Sequence, residues 1–266
     1  MTQEKLSPHN RLWQRLREHT EARIGLGHSG GSITTEHHLA FQYAHACAQD
    51  AVWRPLDWDV VTSGLQEVDI ELLKLESKAS NRDSYLQRPD YGRQLSDRSR
   101  TTLSNLDKKP ADVVIVIADG LSSTAIEQSA ANMVKSLLEA FSEQGLSCPY
   151  VCLAEQARVA LGDEVAQLLS ARHLVLLVGE RPGLSSPNSL GIYYTYSAKA
   201  GYTDAKRNCI SNVRSGGQST PAATNRLMWL VREAEVRKFS GVQLKDESES
   251  DTLALDHQQK NILLPL

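Results

Sequence analysis

The sequence predicts a helical N-terminal part followed by an α/β part with a Rossmann-like, doubly wound parallel sheet. Three observations carry that expectation. Within residues 112–118 and 173–178, positions 113–118 and 174–178 are unbroken apolar runs without alternation, the pattern of parallel strands covered on both faces. Between and after them, helical and strand segments alternate, as βαβ units require. The first hundred residues instead show helical spacing and no such run. With 266 residues, 41% of them hydrophobic, the chain has material for two modest domains of roughly 100–200 residues each. The expected division is a helical domain over 1–100, a Rossmann-like domain over 101–246 and a tail over 247–266.

Taken in order, residues 5–24 interleave Lys5, Arg11, Arg15, Arg17 and Arg23 with Leu12, Trp13, Leu16 and Ile24 behind Ser7-Pro8, which predicts an amphipathic helix. Its apolar stripe fits either a contact with its own domain or, over 1–24, a targeting or docking role. GLGHSGGS reads as a loop. Leu39, Tyr43, Cys47 and Ala51 recur every four residues behind Thr34 and Thr35, predicting a helix to about residue 52 that Pro55 ends. Leu65, Val68, Leu72 and Leu75 predict a third helix over 60–77, and the polar stretch 98–110 reads as a linker.

Beyond it, a strand over 112–118 leads to a helix over 125–141 closed by Gly145. Residues 149–153 form a strand, 162–170 a helix and 173–178 a strand; 190–196 adds another strand, and Ser219-Thr220-Pro221 opens a helix to about residue 239.

Composition excludes more than it names. With 29 Lys+Arg against 32 Asp+Glu, the chain lacks the field of a dedicated nucleic-acid binder. No apolar run approaches the roughly 20 residues of a membrane span, and MTQEKLSPHN has no secretory core. Four cysteines, with Cys148 and Cys152 as an isolated C-x3-C pair, suggest neither a disulfide framework nor a zinc site, so a reducing compartment is expected.

Two motifs lack their context. Residues 25–31 satisfy both G-x-G-x-x-G and G-x-S-x-G, but an Arg-rich helix precedes them where either motif needs a strand. His37, His38 and His45 lie near Glu36 without the i, i+4 spacing of a helical metal pair, and read as solvated or capping groups. The loops after the buried strands are better candidates, because ligands of open parallel sheets bind beyond the C-terminal strand ends. Asp119-Gly120-Leu121-Ser122-Ser123 offers a carboxylate, hydroxyls and a helix start, with Asp119 equally readable as an N-cap. Gly179-Glu180-Arg181-Pro182-Gly183 sets opposite charges in a stiff turn, as positioned groups or as a mutual surface pair. Residues 191–214 mix four tyrosines with Arg207, Asn208, Cys209, Asn212 and Arg214, which suits a flat, polar-rimmed ligand or a protein interface. Cys209 has no histidine near it in sequence and reads as a packing or ligand contact before a nucleophile.

These segments together carry a resemblance. ARIGLGHSGGS, RPDYGRQLS, DVVIVIADGLSS, RVALGDE, LVGERPGLSSPNSLGIYYTYSAKAGYTDAKRNCISNVR and FSGVQLKD, within residues 11–246, resemble the small subunit of ethanolamine ammonia-lyase. The resemblance implies a subunit of an adenosylcobalamin-dependent carbon–nitrogen lyase that converts ethanolamine to acetaldehyde and ammonia. It implies a large subunit, a TIM barrel holding the substrate and most of the chemistry, with large–small heterodimers grouped into a higher oligomer. Carried over by motif, the cobalamin contacts are Val159 in RVALGDE, Glu180 in GERPG and Cys209 in RNCISN, with no catalytic or metal-ligating residue on this chain. The cofactor-ligating pattern Asp-x-His-x-x-Gly is absent, which fits cobalamin bound base-on. The implied location is a bacterial microcompartment or the cytoplasm. The alternatives from the residues alone are a stand-alone Rossmann-type nucleotide-binding protein or enzyme, and a scaffold using the Tyr- and Arg-rich segment as an interface.

Overall fold

A computed structural model describes residues 8–248. Helix α1 (Pro8–Glu18) leads to a small hairpin, β1 (His28–Ser29) against β2 (Ser32–Ile33), and then to α2 (Thr35–Trp53) and α3 (Trp58–Gly64). Next come β3 (Glu71–Glu76), α4 (Arg82–Gln87) and α5 (Asp97–Asn105). The remainder runs β4 (Val113–Ala118), α6 (Ser123–Glu143), β5 (Tyr150–Glu155), α7 (Leu161–Leu169), β6 (His173–Gly179), β7 (Leu190–Tyr196), β8 (Asn208–Val213) and α8 (Thr220–Arg237).

Six strands form one sheet in the order β3-β5-β4-β6-β7-β8. The first four are parallel, while β7 and β8 run antiparallel. The sheet is therefore mixed, where a wholly parallel one was expected. Residues 180–189 supply no crossover helix after β6, so the chain turns back and pairs antiparallel. Side chains of β4 alternate between two cores. Val113, Ile115 and Ile117 meet residues of α3, α6 and α8, while Val114, Val116 and Ala118 meet residues of α5 and α7. Helices thus cover both faces, which explains why every residue of β4 is buried and its sequence shows no alternation. Ser122 and Ser219 cap α6 and α8 by accepting from the Ala125 and Ala222 N–H groups.

Two expectations from the N-terminal hundred residues are corrected. The helix expected over 60–77 stops at Gly64, and residues 71–76 form β3, paired parallel with β5. Leu73 and Leu75 are buried while Lys74 and Glu76 are exposed, an alternation that the Leu72 and Leu75 spacing conceals. Its pairing partner lies about 80 residues downstream, so tertiary pairing decides the element. The expected linker over 98–110 begins as α5, whose Leu103 is fully buried and whose Ser96 caps it from the N-terminal side.

Helix α2 forms where expected but packs little of itself. Of its nineteen residues only Ala51 is buried, and Leu39, Phe41 and Tyr43 face solvent. Leu12 and Leu16 of α1 are exposed too. Among the described residues no helix is long and apolar enough to cross a membrane.

At the start of β6, His173 is fully buried, with Nδ1 2.8 Å from the Tyr194 hydroxyl and Nε2 3.3 Å from a Glu235 carboxylate oxygen. Burial outweighs the pull of Glu235 and lowers its pKa from 6.5 to about 4. The unfolded chain takes up this proton below about 6.5 and the folded chain resists it to about 4. The contribution of the neutral ring is therefore intact above 6.5 and falls with pH across that window. The stability difference between wild type and His173→Gln, from urea unfolding, is expected to shrink as pH falls from 7 to 4.5. A pH-independent difference would show that His173 titrates equally in both states.

Candidate ligand-binding crevice

Strand order reverses around β4: β5 follows on one side and β6 on the other, so the loops after β4 and β6 diverge at the C-terminal edge. At the divergence itself the backbones touch. The Leu121 N–H donates to the Gly179 carbonyl at 2.8 Å, and a Cβ on Gly179 would lie 2.8 Å from the Ser122 nitrogen. Only glycine permits that approach.

Asp119 is buried behind this contact. Its Oδ1 accepts from the Gly120 and Ala157 N–H groups at 2.9 and 2.8 Å, and its Oδ2 from the Gln156 N–H at 3.0 Å. Arg82 reaches Oδ2 at 3.5 Å and donates to the Gly120 carbonyl at 2.9 Å. Burial raises the carboxyl to about 6 against the pull of these donors. Asp119 is thus neither an N-cap nor a ligand group; Ser122 caps α6, and Asp119 ties the end of β4 to the end of β5. The loop hydroxyls are engaged as well, Ser122 donating to the Pro187 carbonyl at 2.6 Å and Ser123 to the Ala51 carbonyl at 3.4 Å.

The open part of the edge lies toward β6, β7 and β8. Glu180 does not pair with Arg181, as its place in the turn allowed. Its N–H donates to the Ser189 carbonyl at 2.9 Å, and its Oε2 accepts from the Ser189 hydroxyl at 2.5 Å and the Asn212 N–H at 3.2 Å. The carboxylate lies over Gly191, where a Cβ would come within 3.0 Å of Oε1. These contacts fix one carboxylate oxygen and leave Oε1 as an acceptor at the crevice.

Cys209 on β8 is exposed and sits across the ladder from Tyr193 on β7. Local desolvation raises the thiol above its ordinary pKa, Tyr193 opposes that and the Glu180 charge adds to it. A protonated thiol is a contact group and a poor nucleophile. Val159 lies in the turn before α7, partly buried, and lines a cavity of about 580 Å³ together with Arg93, Arg158, Tyr193 and Tyr202. Tyr193 is the common wall: it lines the cavity with Val159, faces Cys209 across the ladder and feels the charge of Glu180. Tyr193 is thus the neighbour that Val159, Glu180 and Cys209 share: Val159 and Glu180 follow the ends of β5 and β6, while Cys209 lies opposite Tyr193 midway along the sheet. Sequence reasoning grouped Tyr193 with three other tyrosines; alternation along β7 was the signal that could have singled it out.

Other polar groups brace this edge. Arg207 is buried between Asp163 and Asp204, donating to Asp204 Oδ1 at 2.7 Å and to the Tyr202 carbonyl at 3.0 Å, so it holds the wall more than it faces a ligand. Burial raises Asp163 to about 6, against the attraction of Arg207. Arg214 pairs with Glu21 at 2.7 Å, and Arg23 donates to the Leu184 carbonyl at 3.4 Å. The segment after α1 is thereby fastened to the crevice rim.

The remaining motifs lie elsewhere. Residues 28–33 form the exposed β1–β2 hairpin. His45 stacks on Phe41, and among the described residues no group of three or more His, Cys, Asp or Glu is placed to hold a metal. Cys148 and Cys152 sit in or against the core, and burial pushes the Cys148 thiol up to about 12.

Residues 10–245 match the family model described as the ethanolamine ammonia-lyase light chain. A protein of Pseudomonas fluorescens named ethanolamine ammonia-lyase small subunit is 51% identical over 244 residues, covering 91% of this chain and 89% of that one. The same name belongs to a protein of Azotobacter vinelandii, 49% identical with 89% of each chain covered. It also belongs to one of Xanthomonas campestris pv. campestris, 46% identical over 97% of this chain and 98% of that one. With a match of this extent, through all the segments that build the crevice, the chain belongs to the ethanolamine ammonia-lyase light-chain family, the small subunits of a lyase.

Proposed function

We propose that this chain is the small subunit of an adenosylcobalamin-dependent ethanolamine ammonia-lyase, and that Val159, Glu180 and Cys209 contact the cofactor. The observation that carries the reading is their convergence around Tyr193. Residues 159, 180 and 209 come from three separate segments, yet each neighbours Tyr193: Val159 lines a cavity of about 580 Å³ with it, Cys209 lies across the ladder from it and Glu180 adds its charge. The donor set fits a base-on corrinoid, whose rim carries amide groups around an apolar ring. Val159 offers an apolar contact, Glu180 Oε1 an acceptor for an amide N–H, and the Tyr193–Cys209 pair a wall against water. Ser189 and the Asn212 N–H hold Glu180 in place, so its acceptor is positioned before the ligand arrives. The chemistry that adenosylcobalamin supplies when bound is a carbon-centred radical from cleavage of its cobalt–carbon bond.

A large subunit is the proposed partner and the site of the ethanolamine pocket, in large–small pairs that assemble further in the cytoplasm or a microcompartment. The exposed Leu39, Phe41 and Tyr43 of α2 and Leu12 and Leu16 of α1 support a partner of this kind, since apolar strips on soluble chains mark interaction surfaces. In this reading residues 1–24 dock the partner, and 101–246 carry the three contact residues. A stand-alone nucleotide-binding protein would place phosphate at the loop after β4, where the Gly120 N–H already donates to Asp119, the Leu121 N–H to the Gly179 carbonyl and the Ala125 N–H to the Ser122 side chain.

Glu180→Ala in the assembled large–small enzyme is expected to weaken cobalamin retention about tenfold, the loss of one charge-assisted hydrogen bond. The KM for ethanolamine should change less than about twofold, because that contact is made on the other subunit. Retention is read from the corrinoid absorbance that survives gel filtration. Unchanged retention would remove Glu180 from the site.

A further inference from the structure

The turn to which the segment after α1 is fastened also holds Glu180. Between the pairs Leu190 with Val213 and Ile192 with Ile210, Gly191 of β7 faces two residues of β8, Ser211 and Asn212, so β8 carries a bulge there. Asn212 sits in it at a φ of 61°, a left-handed conformation that asparagine tolerates and its surroundings must hold. The bulge aims the Asn212 N–H at Glu180 Oε2, 3.2 Å away. Two contacts keep Asn212 in place. Its carbonyl accepts from the Gln218 N–H at 2.8 Å, and its Oδ1 accepts from Arg214 Nε at 2.7 Å. Arg214 in turn reaches Oε1 and Oε2 of Glu21 through Nη1 and Nη2, at 3.1 and 2.7 Å. A two-oxygen fork fixes a guanidinium in direction as well as distance. Residue 21 is itself anchored: the Ser185 hydroxyl donates to its carbonyl at 3.3 Å, and a Cβ on Gly25 would collide with the Trp13 side chain of α1.

We propose that Glu21 is a positioning residue for cofactor binding: through Arg214 it holds Asn212 in the bulge, and thereby holds the Glu180 carboxylate toward the ligand. This rests on the cobalamin reading above and deepens it, because retention of the cofactor then depends on a residue of the N-terminal segment that reaches Glu180 only through Arg214 and Asn212. Without the Glu21 carboxylate, Arg214 keeps Asn212 Oδ1 and the Ser215 carbonyl but loses the pair that sets its direction. Asn212 can then relax out of the left-handed region and turn its N–H away, which leaves Glu180 Oε2 with the Ser189 hydroxyl. The expected effect is that of one half-exposed ion pair acting through two residues, about threefold in affinity.

The test is a double-mutant cycle on the assembled large–small enzyme, read by spectral titration with hydroxocobalamin. Glu21→Gln is expected to lower cobalamin affinity about threefold, and Glu180→Ala about tenfold. In the Glu180→Ala background, Glu21→Gln should change affinity less than about 1.3-fold, because no carboxylate is left to position. A merely structural role would give the same loss in both backgrounds. Glu21→Asp, which keeps the charge, should recover part of the loss, and the KM for ethanolamine should stay within about twofold of wild type throughout. Two results would overturn the positioning role and leave the cobalamin reading standing: a loss from Glu21→Gln as large without Glu180 as with it, or unchanged affinity in Glu21→Gln while Glu180→Ala binds weakly. Unchanged affinity in Glu180→Ala would overturn the cobalamin reading, and the role of Glu21 with it.

Discussion

Asp119→Ala is expected to lower the unfolding free energy of the small subunit by about 3–5 kcal/mol, the range for removing one partner of a buried charged network. The substitution leaves the Gly120, Gln156 and Ala157 N–H groups without an acceptor, and Arg82 loses its carboxylate in a half-buried place. Asp119→Asn keeps the shape and one carbonyl oxygen but turns an NH2 group toward donors, so its loss should be smaller. Urea unfolding of the isolated subunit measures both. A loss below about 1 kcal/mol for the alanine variant would mean that the strand ends are held by something else. Because Ala157 is two residues before Val159, a surviving Asp119→Ala protein should also retain cobalamin less well.

Gly179→Ala is expected to cost about 3 kcal/mol, the upper end of ordinary overpacking, because the methyl group meets backbone and not a side chain that could swing aside. It would collide with the Ser122 carbonyl and press on the cap of α6. The loop must then move, and Glu180 moves with it. Stability and cobalamin retention should therefore fall together here, whereas Glu180→Ala should lower retention alone. Gly179→Ala with wild-type urea midpoint and wild-type retention would show that the two loops are not in close contact in solution.

The parts of the fold legible in the sequence were those whose environment is uniform. Strands β4 and β6 are buried on both faces, so after His173 at the start of β6 no position is polar and no alternation appears. Helix α8 announces itself by Ser219-Thr220-Pro221, and α6 by its long apolar-periodic stretch closed by Gly145. β3 was hidden because an edge strand with one half-covered face can mimic helical spacing over six residues. The antiparallel return of β7 was hidden because a run of buried residues states burial and not direction. At the crevice, Glu180 was visible as a charge in a stiff turn, but its partners, Ser189 and the Asn212 N–H, lie 9 and 32 positions away. Asp119 shows the same limit: a carboxylate before a helix suggests a cap, and only the folded chain shows it bound to the next strand's end.

The sparsely buried α2 has a consequence for the subunit alone. A helix of nineteen residues with one buried side chain carries Leu39, Phe41 and Tyr43 into water in the chain alone. Side chains that suit a partner's groove also suit those of another copy, so the free chain is prone to self-association. Under the proposed docking of α2 on a large subunit, the solubility of this chain then rises with the amount of that partner present.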